Sequence, residues 1–408
     1  MRPPATEASH RDRWGRPVGE RDTQLRRVLA TLVVVMVVNQ TGVVIISPLV
    51  VEIAAAFQVP VGLAGQLRTA GALVSGLAAP WLGALSDRAG RKPVILSGLT
   101  VIGLSALASA LAPGFGWLLA AQALGGLGIA ALLSTGLAAI GDYVPPERRA
   151  RAVGLVTTGQ PLAWVIGLPL IGLLADTWGW RWSFLGVPFL FSIAGLALAW
   201  QLPPGRYQDR RPRSGITTSR AVRQALADRA ARFWVLAELL IYSGWAGSLT
   251  FLGAYYIQVF RLSAGQASPL LAVVALAFSL GSLLAHRLAR WRAPVVVFGS
   301  AIAAAGLLSL ALTIRLPLGM AVALLCGYGL IHGVRGATSS ALGLRLGEAH
   351  RGTMMALRAS VVQLGYVFGG LFGGALLERW GFPALAIAYA AFLVGGGLIT
   401  WRGISGER

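Results

Sequence analysis

Long apolar runs alternate with short polar breaks along the whole of this 408-residue chain. A bilayer-spanning helix needs about 20 mostly apolar residues, and twelve such runs can be marked. In the first half they fall at 28–50, 61–82, 93–112, 117–140, 152–175 and 183–202. In the second half they fall at 233–257, 264–285, 294–314, 317–342, 353–377 and 382–401. Around them the pattern predicts an N-terminal tail (1–27), a polar central loop (203–232) and a C-terminal tail (402–408). The expected fold is an all-α membrane protein, with twelve transmembrane helices in two pseudo-symmetric six-helix bundles.

Composition agrees. Only 12% of residues are charged and 56% are hydrophobic, whereas a soluble domain carries roughly 25% charged residues. The 53 glycines suit helices that pack closely in hydrocarbon. The net charge of +20 would suggest nucleic acid in a soluble chain, but here the charge is sorted by side. With the N-terminus cytoplasmic, 28 of the 35 Lys and Arg residues fall on the cytoplasmic side. Four (Arg181, Arg261, Arg315, Arg379) fall on the other side, and Arg68, Arg335 and Arg358 lie within spans. By the positive-inside rule both termini are cytoplasmic, and no nucleic-acid partner is implied. The Arg-rich start also carries Glu7, Asp12, Glu20 and Asp22, unlike an acid-poor transit peptide. The lone cysteine, Cys326, has no intrachain partner.

The halves repeat. Leu174-Ala175-Asp176-Thr177-Trp178-Gly179 matches Leu376-Leu377-Glu378-Arg379-Trp380-Gly381 at an offset of 202. Internal repeats of this kind mark secondary transporters. Part of the connector, Val222–Phe233, reads either as an interfacial amphipathic helix or as solvated linker. The cluster Gly83-Ala84-Leu85-Ser86-Asp87-Arg88-Ala89-Gly90-Arg91-Lys92 cannot lie in hydrocarbon and is expected to be an aqueous loop.

That cluster, as G-x-L-x-D-R-x-G-R-K, resembles the signature of the major facilitator superfamily, and the resemblance extends over nearly the whole chain. Asp142-Tyr143-Val144-Pro145-Pro146-Glu147-Arg148-Arg149 is similar to the family's loop after the fourth span. Gly167–Gly172 followed by Trp178–Trp182 resembles drug and sugar efflux members. The resemblance implies a gating motif of Gly83, Asp87, Arg88, Gly90, Arg91, Lys92 and Asp142. In it Asp87 meets the N-terminus of the eleventh helix near Thr353, and Arg91 pairs with Asp142. It also implies export from a bacterial cytoplasmic membrane by a monomer driven by an ion gradient, with protons the expected ion and no cofactor. Gln122 stands where many efflux members carry an arginine associated with proton coupling, and the first span offers Asn39 and Gln40 instead of an acid.

Charges inside spans cost about 2.5–3.5 kcal/mol each on insertion scales, so each needs a partner, a cavity or a function. Glu238, Arg335 and Arg358 lie at similar depths from the cytoplasmic surface, about 8–10 Å by helix rise, with His332 one turn from Arg335. Glu238 is either a proton carrier held ionised by Arg335 or half of a permanent ion pair. Arg68 is a further coupling candidate, with Glu52 as a possible partner. Candidate cavity residues are Asn39, Gln40, Ser134, Thr135, Tyr242 and Trp245, a mix of polar groups and apolar walls that suits a small amphipathic cargo. Gly365, Gly369 and Gly373 make a smooth packing stripe. The sequence has no phosphate-binding glycine loop and its histidines lack metal-ligand spacing, so no enzyme and no metal site is expected. An exporter is the favoured reading, an ion-coupled uptake symporter the first alternative and a non-transporting membrane sensor the second.

Overall fold

A computed structural model of the protein describes residues 18–203, 222–224, 226–288, 292–346 and 351–404. Among these residues the regular structure is all helical. Eleven helices are long and apolar enough to cross a membrane, and the longest of them contains two spans. That helix, Thr353–Ile404, is broken at Gly381 (φ 73°, ψ −168°), which separates span 11 from span 12. Spans 2 to 6 are Val61–Ala89, Arg91–Ala110, Phe115–Tyr143, Arg151–Trp178 and Trp180–Trp200. Spans 7 to 10 are Arg229–Phe260, Ala264–Leu288, Ala293–Thr313 and Leu318–Leu346. Span 1 runs from Thr23 to Val44 and continues as Ile46–Phe57. Pro48 cannot donate to the Val44 carbonyl, which explains the break at Ile45.

The helices overshoot the apolar runs, and this corrects one expectation. Gly83–Ala89 is not an aqueous loop but the last two turns of span 2. Span 3 begins at Arg91, and the chain reverses on Gly90 alone (φ 92°). A side chain there would be strained, so glycine is required. The charges are thus carried on helix ends that project past the hydrocarbon. Similar one-residue reversals occur at Gly179 (φ 90°) and Gly381, which are 202 residues apart. Spans 1 and 7 also end alike, on left-handed Gln58 (φ 53°) and Arg261 (φ 57°). The repeat is therefore written in the backbone as well as in the residues.

Most of the expected tail (1–17) and most of the expected connector lie outside the described residues. Of the interfacial helix considered at Val222–Phe233, residues 222–224 are helical. Asp228 then caps span 7, its carboxylate accepting from the Ala230 and Ala231 amides at 3.3 and 3.1 Å.

The halves meet where span 1 packs on span 7, span 2 on span 11 and span 5 on span 8. Small residues make this contact possible. Gly253 lies against the Ser47 backbone, Gly172 against Ser268 and the Ala264 carbonyl, and Gly62 against Gly374 and the Glu378 carboxylate. Ser47 Oγ donates to the Leu249 carbonyl at 2.6 Å, and Gln66 Nε2 to the Gly370 carbonyl at 3.0 Å. Asp176, at the end of span 5, accepts from Ser263 Oγ and from the Gly265 amide (3.0 Å) at the start of span 8. The stripe on span 11 packs within its own half: Gly365 and Gly369 touch span 7, and Gly373 meets the Tyr389 hydroxyl.

These cross-half contacts are concentrated on the side opposite the arginine-rich loops. On the arginine-rich side Asp87 is 66% exposed and its carboxylate is held by Arg91 of its own half. Among the described residues, no hydrogen bond or ion pair joins the halves on that side.

A bulky side chain at the cross-half contact should prise the halves apart. In a Cys326→Ser background, Gly253→Leu or Gly172→Leu is expected to raise maleimide labelling of a cysteine at Leu249 several-fold in detergent. Gly114, which faces open space, serves as the control: Gly114→Leu leaves labelling unchanged. Equal labelling of all variants contradicts the assigned interface.

Candidate transport site

Span 7 carries Glu238 and Tyr242 one turn apart, so both side chains leave the same face. Span 10 carries His332, Arg335 and Ser339 on a matching face, and span 11 carries Arg358. The structure joins all six. Glu238 is 1% exposed. Its Oε1 accepts from Arg335 and from Ser339 Oγ (2.9 Å), and its Oε2 accepts from Arg358 Nε at 3.0 Å. Arg358 also donates to the Tyr242 hydroxyl at 2.7 Å. Both guanidinium groups approach the Tyr242 ring, at 5.1 and 5.3 Å from its centroid.

One carboxylate therefore serves two arginines, and the cluster carries a net positive charge. Arg358, which the sequence left without a partner, supplies the second cation. An Arg335 Nη lies 3.4 Å from His332 Nε2. The imidazole in turn stacks on Trp245 at 4.1 Å, with 5° between planes. Trp234 Nε1 donates to Ser339, fixing the hydroxyl that serves Glu238. Neither Ser339 nor Trp234 was picked out from sequence, although Ser339 sits one turn beyond Arg335.

Arg68 lies apart from this cluster. Its guanidinium stands over the Tyr366 ring of span 11 at 3.9 Å, and Glu52 makes no ion pair with it among the described residues. The Glu52 partnership is thus replaced by an aromatic one. Gln122 donates to Ser109 Oγ at 2.9 Å and lines a narrow cleft inside the first half, together with Arg68, Ser105 and Ile129. A second, narrow cleft lies between the halves and is bounded by Ser47, Trp164, Leu249, Thr250, Tyr366 and Arg68.

The remaining cavity candidates divide. Tyr242 and Trp245 belong to the ionic cluster. Asn39 is buried and donates to the Ile129 carbonyl at 2.9 Å, which ties span 1 to span 4. Ser134 bonds back to the Ala130 carbonyl of its own helix at 2.8 Å, and Thr135 is fully buried. Gln40 is partly exposed. None of these four lines either cleft.

In the charged motif Arg91 is the hub. It donates to Asp142 Oδ2 at 2.7 Å and Ser86 Oγ at 2.6 Å, and pairs with Asp87 at 2.6 Å. Lys92 caps span 6 by donating to the Trp200 and Leu202 carbonyls at 2.6 and 2.8 Å. Arg88 is exposed. Gly83 faces Ser134, with room for a Cβ at 3.8 Å. Among the described residues, no hydrogen bond or ion pair joins Asp87 to the start of span 11 near Thr353.

A helical membrane protein of two packed halves, joined toward one side and carrying an ionic cluster buried among spans 7, 10 and 11, has the architecture of a carrier. The Major Facilitator Superfamily model matches residues 32–347, well over half of the chain, and the chain belongs to that family. It is 26% identical over 361 residues to the uncharacterized MFS-type transporter YwfA of Bacillus subtilis, covering 87% of each chain. It is 29% identical over 355 residues to the transcription regulatory protein OpdE of Pseudomonas aeruginosa, covering 83% of this chain and 84% of that one. Among solved structures it is similar to a bacterial homolog of the human lysosomal transporter Spinster in an inward-facing, unoccupied conformation. The TM-score is 0.72 at 20% identity, over 94% of this chain and 95% of the other. The D-xylose–proton symporter gives a TM-score of 0.72 at 15% identity, over 93% and 98% of the two chains. At those identities the structures establish the fold.

Removing one partner of a buried ion pair costs about 3–5 kcal/mol, because the other charge is left uncompensated. Glu238→Gln strands two guanidinium groups, so it should lower the Tm of the detergent-solubilised protein most. Arg335→Gln should follow, and Arg358→Gln, at a side chain 20% exposed, should cost least. A Glu238→Gln variant as stable as the parent would contradict the cluster.

Proposed function

We propose that this integral membrane carrier exports a small amphipathic organic molecule, with the Glu238–Arg335–Arg358 cluster coupling transport to an ion gradient. Family membership makes it a secondary transporter that works by alternating access. The finer reading has its own supports. The 28-to-4 distribution of basic residues favours a cytoplasmic arginine-rich side, and the joining of the halves on the opposite side supports an inward-facing conformation. The likeness of Gly167–Trp182 to efflux members favours export. The cluster itself, three charges buried in a span interface, is the observation that carries the coupling role. A charge there is expensive unless it is used.

The cycle follows from which contacts can exchange. In the inward-facing state the halves are held by the glycine contacts and by Asp176 at the start of span 8. Opening outward requires these to part. Closing inward brings the span 2–span 3 turn toward span 11, where the positive end of that helix favours the Asp87 carboxylate. Arg91, bound to both Asp87 and Asp142, is placed to orient that carboxylate. Within the cluster, a proton competes with the two arginines for the Glu238 carboxylate. Their net positive charge favours an anionic or zwitterionic cargo over a bare cation.

Purified protein in liposomes, given a compound panel and an imposed proton gradient of either sign, tests this reading. Wild type is expected to move cargo against its gradient. Glu238→Gln should lose the response to the proton gradient, and Asp87→Asn should slow transport at least several-fold while inserting normally. Normal pH dependence in Glu238→Gln removes the coupling role. Undiminished transport by Asp87→Asn removes the gating role.

A further inference from the structure

Arg68 is a cation without an anion. The residue is 4% exposed, and its Nε and one Nη have no hydrogen-bond partner. Among the described residues no carboxylate pairs with it. The nearest compensation is the Tyr366 face, and a cation–π contact is worth only about 0.5–2 kcal/mol. Burying an ion costs several kcal/mol after relaxation, so the ring leaves most of that cost unmet. The contrast with the other two intramembrane arginines is direct, because Glu238 serves both of them.

The unpartnered guanidinium also stands at the junction of two clefts. Arg68 lines the cleft between the halves as well as the cleft inside the first half. The interfacial cleft is walled mainly by apolar groups, Val44, Leu249 and Trp164 among them. Its two small hydroxyls are already committed as donors: Ser47 to Leu249 and Thr250 to Ala246 (2.9 Å). Polar recognition in this cleft therefore falls to Arg68 and the Tyr366 phenol.

We propose that Arg68 is the anchor for the carboxylate of the cargo, and that the cargo is an organic monocarboxylate whose apolar body lies against Trp164 and Leu249. This rests on the transport reading above and names the substrate class for it. A planar guanidinium with two free N–H groups matches a carboxylate bidentately. One unpaired guanidinium calls for one anionic group, since Arg335 and Arg358 are engaged by Glu238. The site joins both halves, with span 2 supplying Arg68, span 5 Trp164, span 7 Leu249 and span 11 Tyr366. Binding there would report on the relative position of the halves.

Full-length protein in detergent can be titrated calorimetrically with benzoate, 1-naphthoate and octanoate. The corresponding amides and amines are run in parallel, and sodium chloride serves as a small-anion arm. At least one carboxylate should bind at least about tenfold tighter than its amide, as expected when a buried charge loses its partner. Arg68→Gln should abolish that preference and Arg68→Lys should retain part of it, which separates loss of charge from loss of fold. The proposal is overturned if no carboxylate is preferred over its amide, or if Arg68→Gln keeps the preference. It is also overturned if chloride reproduces the whole effect. In liposomes, movement of only neutral or cationic compounds would remove the carboxylate while leaving the transporter. Carboxylate binding with no movement of any compound would remove the transport reading instead.

Discussion

Hydrocarbon tolerates neither an unpaired backbone group nor an uncompensated charge, and most of this structure follows from that intolerance. The backbone is satisfied by helices. Charges are expelled to helix ends, where Arg91 gathers Asp87, Ser86 and Asp142 and Lys92 caps span 6. Those that remain inside are gathered into one cluster on Glu238 or, at Arg68, set against the Tyr366 ring.

The same constraint shapes the interface. Two apolar surfaces in a bilayer gain little from the hydrophobic effect, so close packing and hydrogen bonds hold them together. Glycines at 62, 172, 253 and 374 bring backbones near enough for Ser47, Gln66 and Asp176 to bond across the halves. Such contacts are individually modest and can part as a set. That is a useful property for surfaces that separate in every cycle.

The spans, their number, the repeat and the charged motif were legible in the sequence because each leaves a local pattern: apolar runs, matched residues at an offset of 202, and a dense charge cluster. Hydropathy could not place the helix ends, since charged helical turns past the membrane look like loop. Hence Gly83–Ala89 proved helical, and only Gly90 turns. The pairing of Glu238 with Arg335 could be anticipated from depth and span. Arg358 as a second partner could not, because a side chain's facing depends on how span 11 rotates against span 7. Asn39, Ser134 and Thr135 looked available for a ligand. Tertiary packing buries Asn39 and Thr135, and Asn39 and Ser134 turn to backbone carbonyls. Tyr366 went unnoticed because aromatic residues are common in spans and nothing local links it to Arg68.

Spin-label distances test the central claim most directly. One label pair at Gln58 and Arg261 reports on the joined side, and another at Glu147 and Arg345 reports on the arginine-rich side. In the resting protein the first pair is predicted to be short and the second long, and cargo with an imposed gradient should change them in opposite senses. Distances that stay fixed, or that lengthen and shorten together, would contradict two halves rocking about a shared centre.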